Sequence, residues 1–153
     1  MKQVMLYDIR SHYNVGAIFR TSDGAGVEKI YLVGYTPAPR DRFGRVVPEI
    51  HKTALGAEET VPWKQVSRDD VPALLATLKT QRVRIVAIEQ SPGATALQEF
   101  TVPENILYIF GSEVGGLPDD ILKMADEVVE LPMRGSKDSL NVSVTAGIVL
   151  YHT

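Results

Sequence analysis

Short apolar runs rich in β-branched residues alternate along the chain with stretches of helical periodicity. Residues 4–9, 29–34, 84–89, 106–110 and 127–131 are the strand candidates, and 60–63 is a weaker sixth. Most of these runs are apolar throughout, as strands covered on both faces of a parallel sheet are. Helices fit between them. Asn14 is placed to cap one that runs through Ala17, Ile18 and Arg20 to a stop at Gly24-Ala25-Gly26. Asp69-Asp70-Val71-Pro72 opens a second, with Leu74, Leu75 and Leu78 on one face. Leu117-Pro118-Asp119-Asp120 opens a third, with Pro118 suited to its first turn. Asn141 or a neighbour opens the last, where Val144, Ile148 and Tyr151 stand in helical register. The alternation predicts an α/β fold, a mostly parallel sheet between helices, as a single domain over residues 1–153. Ligands then gather at the carboxyl ends of the strands.

Composition narrows the chemistry. The 153 residues contain no cysteine, which removes disulfides, thiolate metal sites and a cysteine nucleophile. No apolar run approaches the roughly 20 residues that cross a bilayer, so a cytoplasmic protein without a membrane partner is expected. The net charge of −3 excludes a tail-driven polybasic nucleic-acid binder. The charge is unevenly spread, however. Residues 1–52 hold eight Lys+Arg against five Asp+Glu, and the remainder holds eight against fourteen. The basic excess is densest at Arg40-Asp41-Arg42-Phe43-Gly44-Arg45, where Arg40, Arg42 and Arg45 flank an aromatic. Such a loop suits a phosphate-and-base surface, and it equally suits a solvated turn.

Three loops hold the polar residues of interest. Asn14-Val15-Gly16-Ala17-Ile18-Phe19-Arg20 follows the first strand. Gly111-Ser112-Glu113-Val114-Gly115-Gly116-Leu117 follows a buried strand, and its glycines let a ligand approach the backbone. Its spacing is neither the dinucleotide fingerprint nor a phosphate loop, and Glu113 would repel a phosphate. Leu131-Pro132-Met133 leads through a polar stretch to Ser139-Leu140-Asn141-Val142-Ser143, where Ser139 and Asn141 are natural caps. Taken singly, each loop is also what a capped helix or an ordinary turn looks like.

Together and in this order, the three loops closely resemble the three motifs of the SpoU (TrmH-type) branch of the SPOUT methyltransferases, which methylate ribose 2′-hydroxyls of RNA. Lys52-Thr53-Ala54-Leu55-Gly56-Ala57-Glu58 is similar to that branch's segment between the first two motifs. The resemblance implies a C-terminal trefoil knot, an exception to the usual absence of knots. It implies S-adenosylmethionine as methyl donor, contacted by the backbone of Gly111, Leu131 and Leu140. Ile88, Glu113, Gly115, Met133 and Ser139 would lie close by. It also implies a homodimer with the active site at the subunit interface, acting on tRNA or rRNA.

A sulfonium donor is already activated, so no metal is needed, and His12, His51 and His152 offer no convincing ligand set. In the family, the residue matching Arg20 is essential. A guanidinium is effectively always protonated, so phosphate binding and stabilisation of a developing alkoxide suit Arg20 better than general-base work. Asn14, Glu113, Ser139 and Asn141 would position ribose, donor and Arg20, while Arg20, Arg40, Arg42 and Arg45 would bind RNA. The alternatives are a SPOUT enzyme acting on a base and an RNA-binding protein without catalysis. A nicotinamide enzyme is disfavoured by the glycine spacing.

Overall fold

A computed structural model describes the whole chain, Met1–Thr153. Its centre is one seven-stranded sheet in which every pairing is parallel. The strands are β1 (Lys2–Tyr7), β2 (Lys29–Val33), β3 (Trp63–Val66), β4 (Arg84–Ile88), β5 (Thr95–Ala96), β6 (Ile106–Gly111) and β7 (Glu127–Glu130), in spatial order β3-β2-β1-β6-β4-β7-β5. The helices are α1 (His12–Gly24), α2 (Pro48–Ala54), α3 (Ala57–Thr60), α4 (Val71–Thr80), α5 (Asp119–Met124) and α6 (Val142–Leu150).

The uninterrupted apolar runs are explained by burial on both sides. Val4, Leu6, Ile30, Leu32, Val86, Ile88, Tyr108 and Phe110 face a core closed by α1, α2, α3 and α6. Met5, Tyr7, Tyr31, Val33, Ile85, Ala87, Leu107 and Ile109 face a smaller core under α4 and α5. Each fully buried Ile, Leu, Val or Phe contributes about 1.5–3 kcal/mol, so β1, β2, β4 and β6 do not alternate with polar residues along their buried lengths. On the larger face α1 and α2 pack closely because Gly16 carries no side chain. A Cβ there would overlap Thr53 Oγ1 and the Ile50 carbonyl.

The structure corrects several sequence expectations. Asn14 does not cap α1. Ser11 does, its side chain accepting from the Asn14 amide at 3.1 Å, and Asn14 is buried inside the first turn. The helix ends as expected, the Ala25 amide donating to Thr21 and Gly26 taking φ +73°. The weak strand at 60–63 is displaced. Thr60 closes α3, and the edge strand begins at Trp63, with Lys64 and Gln65 exposed. Pro118 precedes α5 as its N-cap residue instead of lying in the first turn. Asn141 caps α6 as expected, accepting from the Ser143 amide at 2.9 Å. No helix is long and apolar enough to cross a membrane.

Candidate active site

The carboxyl ends of β4, β6 and β7 open into a cleft of about 340 Å³. Ile88 and Phe110 at the strand ends, with Leu131, Leu140 and Val142 from the C-terminal segment, supply its apolar walls. After β6 the chain turns back sharply: the Gly116 amide donates to the Ser112 carbonyl at 2.8 Å, and Gly116 adopts φ +63°. Gly111 sits against this turn so closely that a Cβ would lie 2.8 Å from the Gly116 carbonyl carbon and from Leu117 Cγ. Glu89, just past β4, accepts the Leu117 amide at 2.7 Å and so anchors the turn to the sheet.

Glu113 joins the three loops. Its Oε1 accepts from Asn14 Nδ2 and from the Val142 amide, both at 3.1 Å. One carboxylate thereby ties the start of α1 and the start of α6 to the turn after β6. Gln90 Nε2 donates to the Leu131 carbonyl at 2.6 Å, fastening the segment after β7 to the end of β4. The cleft's charge is one-sided. Glu89, Glu113, Glu130 and Asp138 line it, and no Lys, Arg or His does.

Of the residues expected to meet a donor, Ile88, Gly111, Glu113, Gly115, Leu131, Ser139 and Leu140 line the cleft, whereas Met133 is absent from its lining. Asn14 reaches it through Glu113, and Asn141 is occupied as a cap, its Oδ1 accepting from the Ser143 amide and hydroxyl. Arg20 is exposed, outside the lining, and has no ion pair. Helix geometry explains its position: six residues beyond Asn14, it lies about 9 Å further along α1 and about 120° around it.

The Arg40–Arg45 loop is more ordered than a run of charges suggests. Arg40 pairs with Glu59 at 2.6 Å and Arg45 with Asp41 at 3.0 Å. The guanidiniums of Arg42 and Arg45 lie 4.8 and 4.9 Å from the centre of the Phe43 ring. Only Arg42 of the three arginines lacks a carboxylate partner. Glu89, Gln90, Glu130 and Asp138 were not anticipated. A polar pair directly after a buried parallel strand is the signal that would have found Glu89 and Gln90.

The SpoU rRNA Methylase family model matches residues 1–151. The chain belongs to the SpoU rRNA Methylase family. The 23S rRNA (guanosine-2′-O-)-methyltransferase RlmB of Neisseria meningitidis serogroup B is 32% identical over 150 residues, covering 98% of this chain and 56% of that protein. The chain thus spans about half the length of the curated relatives it matches. The AdoMet-bound rRNA methyltransferase from Sinorhizobium meliloti superposes with a TM-score of 0.83 at 27% identity, covering 99% of this chain and 54% of that one. A structure concerned with 2-OH methylation of C/U34 on tRNA gives 0.80 at 26% identity, covering 99% of this chain and 92% of that one. This member of the SpoU family therefore has the SPOUT α/β architecture with its seven-stranded parallel sheet.

Proposed function

We propose that this chain transfers a methyl group from S-adenosylmethionine to a ribose 2′-hydroxyl of structured RNA. The observation that carries this reading is the convergence of the three motif segments on one cleft, fastened by Glu113. The cleft's chemistry fits the donor. Apolar walls suit an adenine ring, and four carboxylates without a base suit a ligand bearing sulfonium and ammonium charges. The same lining disfavours the pyrophosphate of a dinucleotide. When bound, the donor supplies a methyl group on a positively charged sulfur.

The backbone around Gly111, Gly115, Leu131 and Leu140 would hold that ligand, with Ser139 and Glu113 at its polar rim. Gly111 and Gly116 let the turn pack directly against the strand ends, where an added Cβ would collide with Leu117 or Glu89 and displace it. Asn14, buried and held by Glu113, fixes the acid's orientation. The C-terminal segment is pinned from two sides, by Gln90 at Leu131 and by Glu113 at Val142. Arg20 binds the phosphate beside the acceptor ribose and stabilises the developing alkoxide. The proton leaves to that phosphate or to water, since a guanidinium stays protonated.

Arg20 is exposed and lies outside the lining of its own cleft, which supports an active site shared by two subunits, each lending Arg20 to its partner. The surface of α6 supports the same reading. Val142, Ala146, Val149 and Leu150 are buried, yet Val144, Ile148 and Tyr151 form an exposed apolar stripe beside the cleft's Leu140. A homodimer covers that stripe. Arg42 with Phe43, and the paired Arg40 and Arg45, offer a second RNA contact.

The test is transfer of labelled methyl into tRNA and rRNA, assayed separately, followed by digestion to nucleosides. Label on the ribose is expected, and label confined to a base would overturn the assignment. Arg20→Ala should keep its affinity for S-adenosylmethionine and lose about a hundredfold or more in turnover.

A further inference from the structure

The carboxyl edge of the sheet continues beyond the cleft, and a second constellation stands there. In register, Gly111 of β6 lies opposite Tyr7 of β1, Tyr7 opposite Val33 of β2, and Val33 opposite Val66 of β3. The segments that leave these strands therefore emerge side by side: Asp8 to Arg10, Gly34-Tyr35, and Ser67-Arg68. Asp8 accepts from Arg68 through both oxygens, at 2.8 and 3.0 Å, and from the Tyr35 amide at 2.8 Å. The Tyr35 ring, 61% exposed, has the guanidiniums of Arg10 and Arg68 each 4.3 Å from its centre.

This arrangement is built with some strain. Asp8 is not glycine yet holds φ +54°, a conformation that persists where surrounding contacts impose it. Gly34, at φ +65°, leaves the space into which the Asp8 carboxylate fits, and a Cβ there would overlap it. The outcome is one neutralised arginine, Arg68, holding the tyrosine, and one arginine, Arg10, with no ion pair at all. The proposed reaction leaves all of these residues unused.

Resting on the methyltransferase reading, we propose that Arg10, Tyr35 and Arg68 form an RNA-binding platform for the nucleotides flanking the methylated ribose. Its centre on β2 is two strand spacings, about 10 Å, from Gly111, so RNA whose ribose faces the cleft passes over it. Arg10 supplies a phosphate contact, and Tyr35 with its guanidiniums supplies a stacking face for an unpaired base. The platform is separate from the Arg40–Arg45 loop and from the cleft lining.

The test uses Arg10→Ala, Tyr35→Ala and the double variant, all at exposed positions. Filter binding to bulk tRNA and bulk rRNA is measured across a salt series, with calorimetric titration of S-adenosylmethionine alongside. The double variant should bind its preferred RNA about tenfold or more weakly, with unchanged donor affinity. Arg10→Ala alone should flatten the dependence of log affinity on log salt by about one. RNA affinity within about twofold of wild type in the double variant would overturn the platform while leaving an active methyltransferase intact. A wild-type chain that neither binds nor methylates either RNA would overturn the methyltransferase reading, and the platform with it.

Discussion

Replacing Glu113 separates its role as a fastener from its role as a charge. Glu113→Ala removes the acceptor for Asn14 Nδ2 and for the Val142 amide together. Asn14 is buried, so its amide finds no water to replace the lost partner. Stranding a buried donor costs about 1–3 kcal/mol, and the low end applies because Glu113 itself is exposed. The sum is about 2 kcal/mol, a fall in Tm of about 4–8 °C for a chain of this size. Glu113→Gln keeps an oxygen in place and should stay within about 0.5 kcal/mol of wild type. It removes one negative charge from an open cleft, worth about 1 kcal/mol or less, so S-adenosylmethionine should bind up to about fivefold more weakly. Urea unfolding and calorimetric titration measure the two quantities independently. A cycle with Asn14→Ala should give a coupling of about 1 kcal/mol. Additive losses, or an alanine variant as stable as the glutamine one, would refute the idea that this carboxylate joins the three loops.

Gly16→Ala should lower Tm by about 5 °C or more through overlap with Thr53 and Ile50. Gly135→Ala, with nothing within 4 Å of the added carbon, serves as its neutral control in the same scan. Acid titration should reveal the Asp8–Arg68 pair. Burial alone would raise the Asp8 carboxyl, but the Arg68 hydrogen bonds and the Tyr35 amide outweigh it and hold the group below the ordinary carboxylate range. A depressed folded value gives stability that is present above about pH 4 and lost as pH falls through the folded value. Arg68→Gln should therefore destabilise the chain at pH 7, and the gap should be smaller at about pH 3, nearer the pH where the Asp8 carboxylate is protonated. A gap that is the same at both pH values in urea melts would contradict the pairing. Sedimentation of the wild type should give a dimer, and the Val144→Glu, Ile148→Glu double variant should sediment as a monomer that has lost methyl transfer. A fully active monomer would contradict a shared active site.

The strands of the inner sheet were legible because burial on both faces leaves a strand no polar positions, and five of the six candidate runs match within about two residues. The edges were less legible for the same physical reason. β3 is an edge strand with Lys64 and Gln65 exposed, and β5 is two residues long. Neither has enough buried surface to imprint a pattern. α2 buries only Ile50 and Ala54, and α3 is a single turn, so neither is long enough to carry a helical periodicity in the sequence. At the site, residue type was visible and partnership was not. Asn14 and Ser11 are both good caps, and only the structure shows Ser11 in that role and Asn14 bound to Glu113. Glu89 falls at the end of the strand run 84–89 in the sequence, and its role shows only where the strand stops at Ile88 and the Leu117 amide is bound to the Glu89 carboxylate.

Charge shows most clearly how the fold divides labour. The first 52 residues have an excess of three positive charges, but Arg40 and Arg45 are neutralised by Glu59 and Asp41, and Lys2 is turned inward onto the Ala25 and Leu150 carbonyls. The arginines left without a carboxylate in that third are Arg10, Arg20 and Arg42. Arg10 precedes α1 and Arg20 lies within it, the helix whose Asn14 meets the acidic cleft through Glu113. A polyanion is repelled by the four carboxylates of the cleft and drawn to the unpaired arginines outside it. On the proposed reading, the donor's positive charge is attracted where a polyanion is repelled. On that reading, an acidic pocket next to sparse, unpaired arginines separates a cationic donor from a polyanion by charge, although the net charge of the chain is −3.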